Sequence, residues 1–348
     1  MASETTGFFS RETETLLYLL GYQAQKDFCN VYAAGSFVRD MLLEKESQQL
    51  DILVDGDMVS YARNLQYFLP GKIHYAEPLG TASLQLPGHF NIQMSTIKNE
   101  VYVLSEEPDS QTSLKNELYH RDFTINTLAM ELNPRNFCKI YDFFGGKHDI
   151  NERTLRVLYS LSFVNEPLRL LRALRLEQRY GFVINDETAN LMQTAIAGNV
   201  LQKVSRESIG RELRLIFYEP NPSKVLQRLQ ELGLWHQVFP RLTFKETILP
   251  RLQRLEKIFN RYQFENNRTY RYNNFIISIC ILFYGLSRHD IQYLTHVLRL
   301  KRKERLEVME LMEILTAARQ SHANATNTEE DENRVVSFLV KQYAGEGR

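Results

Sequence analysis

The chain has 348 residues, 43% of them hydrophobic, with 42 Lys plus Arg set against 42 Asp plus Glu. That length supports a large core divided among two or more domains, and the charge balance excludes a global basic field, so nucleic-acid contact has to come from local patches. Three scattered cysteines, Cys29, Cys138 and Cys280, lack C-x-x-C spacing and point to buried thiols in a reducing compartment rather than to disulfides or zinc.

Residues 1–12 carry no basic stretch followed by an apolar run. The longest apolar run, residues 275–286, is too short for a bilayer and reads as a buried helix. A soluble, cytoplasmic protein without membrane contact is the expectation. From residue 31 to about 142, strand-like runs at 31–33, 51–54, 82–86 and 91–96 alternate with helical periodicity at 37–43 and 58–68. Pro78, Pro87-Gly88 and the polar residues 105–112 mark connections, the last a mobile loop. Gly145-Gly146 breaks the pattern, and beyond residue 157 the chain reads as helices at 166–180, 186–198, 205–218, 222–232 and several more. Ser205 is the expected cap of the third of these and Gly181 the expected end of the first. Residues 321–332 are polar and acidic and predict a disordered connection. The fold class is therefore α+β: an α/β head with a mixed sheet over residues 1–148, a helical neck over 149–218, and a helical body and tail over 219–348.

Several positions carry chemistry. The small residues Ala34-Gly35-Ser36 let the backbone approach a phosphate closely, with helix amides behind them. Arg39, next to Asp40, offers a guanidinium suited to multidentate phosphate contact, although a solvated ion pair fits the same two residues. In the run from His120 to Ala129, Asp122 is a candidate helix cap while Phe123 and Ile125 pack the core. Pro167 fits a first helical turn, which sets Arg169 and Arg172 on one side of a helix close to Glu166. That arrangement suits either ligand recognition or a salt-bridged amphipathic helix. Arg299, Lys301, Arg302, Lys303 and Arg305 form the densest basic cluster, readable as an RNA-phosphate contact or as a solvated helix end. His74, His89 and His148 have no partner at metal-ligand spacing.

The run Gly35-Ser36-Phe37-Val38-Arg39-Asp40-Met41-Leu42-Leu43 resembles the G-G-x-V-R-D-x-L-L-G of the class II tRNA nucleotidyltransferase and bacterial poly(A) polymerase family. His120-Arg121-Asp122-Phe123-Thr124-Ile125-Asn126-Thr127 is similar to that family's R-R-D-F-T-I-N-A, and Glu166-Pro167-Leu168-Arg169-Leu170-Leu171-Arg172 to its D-P-x-R-x-x-R. With Asp142-Phe143-Phe144-Gly145-Gly146 and Glu177-Gln178-Arg179-Tyr180-Gly181-Phe182, the likeness runs from about Val31 to Pro240 and leans toward the A-adding or poly(A)-polymerase type.

The resemblance implies a nucleotidyltransferase-type head that transfers AMP, or CMP, from ATP or CTP to the 3′-hydroxyl of a tRNA-like RNA. It places Gly35, Ser36, Arg39, Asp40, Arg121, Asp122 and Asn126 on the triphosphate and ribose, and Glu166, Arg169 and Arg172 on the base edge. It also sets Arg299, Lys301, Arg302 and Lys303 against RNA. The family's D-x-D reads Gln49-Leu50-Asp51 here, and Gln93 stands where its third carboxylate falls. Asp51 is then the only catalytic and metal residue left of three. Mg²⁺ binding is expected to be weak or absent, because a carboxamide adds no charge to offset two cations. The outcomes that follow are an enzyme with weak or lost turnover, a catalytically inactive RNA-binding homologue, or a scaffold subunit of an active nucleotidyltransferase paralogue.

Overall fold

Local sequence sets the first element. Ser10 accepts the amide of Thr13 and starts helix α1 (Arg11–Lys26), whose Leu17, Leu20 and Ala24 repeat on one face and are fully buried. A computed structural model of the protein describes residues 9–47, 49–76, 80–87, 90–97, 110–266 and 271–321. The chain divides into two units, Met1–Tyr159 and Ser160–Arg348.

The first unit is built on a seven-stranded sheet: β1 (Asn30–Ala34), β2 (Gln49–Asp55), β3 (Lys72–Ala76), β4 (Thr81–Gln85), β5 (Asn91–Thr96), β6 (Ala129–Glu131) and β7 (Ile140–Tyr141). Their order is β3-β4-β5-β2-β1-β6-β7, with β2 and β5 parallel and every other pairing antiparallel. Alternation along the central strands decides the two faces. Leu50, Ile52 and Val54 of β2, Ala82 and Leu84 of β4, and Ile92 and Met94 of β5 are all buried on one face. On the other face, Tyr32, Ala34, Leu53 and Ala129 form a second core with Leu114 and Leu118 of α4 (Ser110–Tyr119). Helices α2 (Ser36–Leu42), α3 (Met58–Leu65) and α5 (Gly146–Asn151) complete the unit.

The sequence expectations for this head hold for β1, β2, β4, β5, α2 and α3 within a few residues. Beyond β6, β7 and α5, three further elements were not expected. The whole of α1 precedes the region where alternation begins, β3 is an edge strand with mostly exposed side chains, and residues 110–112 belong to α4 rather than to a loop. The remainder of that loop, residues 105–109, lies outside the described residues, as do Pro78, Gly88, His89 and residues 322–332.

In the second unit the chain forms α6 (Ser162–Asn165), α7 (Arg169–Tyr180), α8 (Asp186–Ala197), α9 (Arg206–Phe217), α10 (Pro222–Glu231), α11 (Trp235–Val238), α12 (Ile248–Asn266), α13 (Arg271–Phe283), α14 (Arg288–Val297) and α15 (Arg302–Ser321). Ser205 caps α9 through the Ser208 amide, and Gly181 closes α7 at φ 66°, a left-handed conformation natural to glycine. Trp235 is buried between Phe239 and Phe244 and donates its indole N–H to the Leu242 carbonyl. Helix α13 carries the apolar run expected from the sequence, and residues 275–283 are all buried. Among the described residues no helix is long and apolar enough to cross a membrane. The three cysteines are free and buried, as their spacing suggested.

Candidate functional site

Register brings the sequence-predicted positions of the head together. Ala34 pairs with Asp51 across β1–β2, Asp51 with Gln93 across β2–β5, and Gln93 with Ser83 across β5–β4. Register partners point to one face, so Asp51 and Gln93 are neighbours, and Gln49, two residues back, joins them. Gln49 Nε2 donates to Asp51 Oδ1 at 3.0 Å. Gln49 and Gln93 are exposed and Asp51 is half-buried, because α4 covers the Leu53 end of this face and leaves the Asp51 end open. The donor set holds one carboxylate between two carboxamides. Among the described residues no group of three or more His, Cys, Asp or Glu side chains could hold a metal ion. These residues do not fit a two-cation centre, which needs several anionic oxygens around ions roughly 4 Å apart.

Directly after Ala34 the chain turns at Gly35, whose φ of 71° lies in the left-handed region. A Cβ there would collide with the Arg121 guanidinium, so glycine is what allows Arg121 to lie against the turn. Behind the turn sits a buried chain of polar groups. Arg39 donates to Asp40 Oδ1 at 2.9 and 2.8 Å and through Nη1 to Asn126 Oδ1. Asn126 Nδ2 in turn donates to Asp122 Oδ1 at 2.8 Å, which also accepts the Phe123 amide. Arg39 is only 4% exposed, so its guanidinium fixes neighbours rather than facing solvent. Asp122 does not cap a helix as expected. The short 3₁₀ turn Thr124–Asn126 begins after Phe123 without a side-chain cap, and Asp122 braces Asn126 across that turn. Phe123 and Ile125 are fully buried, as expected.

Sequence reading missed the brace beneath this turn. Thr124 donates its hydroxyl to Asp149 at 2.6 Å, and Arg156 pairs with the same carboxylate at 3.2 Å while its carbonyl accepts the Thr124 amide. Asp149 and Arg156 lie 25 and 32 residues away from Thr124, beyond any local pattern.

In the second unit, Glu166 sits just before α7 and takes Arg169 Nε at 3.2 Å and Arg172 Nη2 at 3.4 Å. Arg169 is buried and also donates to the Ser162 hydroxyl at 2.6 Å. Arg172 reaches Glu212 of α9 at 3.4 Å, and Arg175 stands 3.8 Å from the same carboxylate. Glu212 had no sequence signal, since it meets α7 only through helix packing. Ser162, four residues before Glu166, likewise had no assigned role. Arg299, Lys301, Arg302 and Lys303 are all exposed at the turn between α14 and α15. Arg299 holds φ 52°, with its amide bonded to the His296 carbonyl and the Leu300 amide to the Thr295 carbonyl. That pair of bonds is a Schellman ending, in which glycine usually occupies the Arg299 position.

Comparison with known proteins follows the same division. Residues 31–156 match the poly(A) polymerase head domain, and residues 181–245 match the probable RNA and SrmB-binding site of polymerase A. Over 253 residues, 71% of this chain, it is 36% identical to an A-adding tRNA nucleotidyltransferase of Geobacter sulfurreducens, covering 28% of that protein. It is 32% identical over 250 residues, 70% of this chain, to an A-adding tRNA nucleotidyltransferase of Halalkalibacterium halodurans, covering 57% of it. The chain thus spans between about a quarter and three fifths of the length of these curated relatives. The Thermotoga maritima CCA-adding enzyme complexed with tRNA-CCA superposes with a TM-score of 0.73 at 27% identity, covering 98% of this chain and 83% of that one. With two family domains in chain order, relatives of one kind and a matching fold, the chain belongs to the tRNA nucleotidyltransferase and poly(A) polymerase family.

Proposed function

We propose that this protein is by descent an RNA 3′-end nucleotidyltransferase, acting on a tRNA-like acceptor with ATP or CTP, whose turnover is weak or absent. The family reaction would be in-line attack of the RNA 3′-hydroxyl on the α-phosphate, with pyrophosphate leaving. The observation that carries the reading is the row Gln49–Asp51–Gln93, where one carboxylate, already hydrogen-bonded, stands between two neutral side chains.

The remaining residues serve binding and orientation. The Gly35-Ser36 turn with Arg121 would hold phosphate oxygens, and Asp122 and Asn126 the ribose. Arg39 and Asp40 act as positioning residues, because Arg39 is buried and grips Asn126. Glu166 with Arg169 and Arg172 would meet the base edge. Glu166 is accessible enough for that role, with 43% of its side chain exposed. Arg299, Lys301, Arg302 and Lys303 would contact RNA phosphates. The names of the curated relatives and the tRNA complex of the Thermotoga enzyme support the substrate class.

The test incubates the purified chain with ATP, Mg²⁺ or Mn²⁺ and tRNA lacking its 3′-terminal adenosine. Expected turnover is at least about a thousandfold below the roughly 10 s⁻¹ common among enzymes. Robust metal-dependent A addition would sink the reading of a degenerate centre. If turnover is nil, the second reading, an RNA-binding scaffold for an active paralogue, predicts that a pull-down from the host recovers an active nucleotidyltransferase. Recovery of RNA alone points to a free-standing binder.

A further inference from the structure

The open part of the sheet face around Asp51 is built from neutral hydrogen-bonding groups. Gln49 and Asp51 on β2, Asn91 and Gln93 on β5, and Ser83 and Gln85 on β4 share it by register. His74 of β3 pairs with Ser83 and Lys72 with Gln85, which places the lysine at the edge of the row. Asp51 is the single acid among these residues. At the opposite side of the row, Ala34 is the register partner of Asp51, and the next residue begins the turn against which Arg121 lies.

A triphosphate brought against three carboxylates meets like charge and needs cations between them. Against this face it meets one carboxylate, Asp51, which Gln49 already engages. A carboxamide offers two N–H donors and carries no charge. Gln49 uses one donor on Asp51 Oδ1, which also draws that carboxylate toward the amide and away from a free ligand's role. The second N–H of that amide and both of the exposed Gln93 are suited to phosphate oxygens.

We propose that the head binds a nucleoside triphosphate without a divalent cation, with Gln49 and Gln93 donating N–H groups to phosphate oxygens that cations would otherwise bridge. The inference rests on the nucleotide reading of the head given above. It adds that the two substitutions change how the ligand is held, rather than only removing chemistry.

The test is calorimetric titration of the full chain with ATP, once in EDTA and once in Mg²⁺. The expected result is the same Kd in both buffers within about twofold, since the face presents a single carboxylate, already hydrogen-bonded to Gln49, in place of three. A double variant, Gln49→Asp with Gln93→Asp, adds two negative charges beside the ligand. Its Kd in EDTA should rise by about tenfold or more, and Mg²⁺ should restore it. Both positions are exposed, and an unchanged melting temperature checks that the variant folds. Binding by the parent that disappears in EDTA overturns the inference and leaves the nucleotide reading intact. A double variant that binds in EDTA as well as the parent also overturns it. Absence of ATP binding by the parent in either buffer removes the nucleotide reading together with the inference.

Discussion

Arg39 and Arg121 show how two arginines from adjacent motifs separate once their surroundings are known. Arg39 is buried beside Asp40 and bridges to Asn126, so Arg39→Ala would break a buried ion pair with Asp40 and the bond to Asn126. Breaking such a pair costs about 3 kcal/mol or more, and thermal unfolding should register it. Arg121 lies partly exposed against Gly35, and Arg121→Ala should change stability by less than about 0.5 kcal/mol. ATP affinity in that variant should instead fall by about tenfold, the scale of one charge-assisted contact, and an unchanged affinity would remove Arg121 from the cradle. The motif letters are symmetrical on this point, because sequence spacing names both arginines and says nothing of which one is covered. Arg299 separates stability from binding in the opposite sense. A non-glycine residue at φ 52° ends α14 at a cost of about 1 kcal/mol, so Arg299→Gly should raise the melting temperature. The same change removes an exposed cation and should weaken RNA binding. A variant that is both less stable and equally retentive of RNA would contradict the assignment.

Among the elements, α7 and α9 carry a ladder of charge that packing alone assembles. Glu212 is 8% exposed in its side chain and faces Arg172 and Arg175, whose own side chains are 26% and 14% exposed. Glu212→Ala strips both arginines of that partner and should cost about 2 kcal/mol after allowance for the solvent that reaches Arg172. Glu207 pairs with Arg211 on the same helix in the open, at 70% and 65% exposure, and Glu207→Ala should cost under about 0.5 kcal/mol. Chemical denaturation of the two variants tests the contrast, and equal costs would refute it. The elements legible in the sequence were those with a strong local signal: β5 by alternation, α9 by its Ser205 cap, and α8 and α10 by helical pattern. Edge strand β3 escaped because its side chains lie mostly in solvent and leave no alternation to read. The candidate row was legible only through the family likeness, since Gln49, Asp51 and Gln93 acquire a common address when β2 and β5 pair.

For the molecule as a whole, zero net charge with four exposed cations at one turn limits how RNA can be held. If Arg299, Lys301, Arg302 and Lys303 each neutralise one phosphate, the logarithm of affinity should fall with the logarithm of salt at a slope of about −3 to −4. Fluorescence titration of tRNA across a salt series measures it, and a slope far steeper would require a second basic surface. The central sheet bears on the history of the molecule as well. Leu50, Ile52, Ile92 and Met94 are sealed on one face of β2 and β5, while Gln49 and Gln93 stand in solvent on the other. Folding therefore places almost no demand on the identity of residues 49 and 93. Acids persist at such positions only while turnover is under selection. A lineage released from that demand would shed them early by drift, and could regain them by two single-codon steps without passing through an unfolded intermediate.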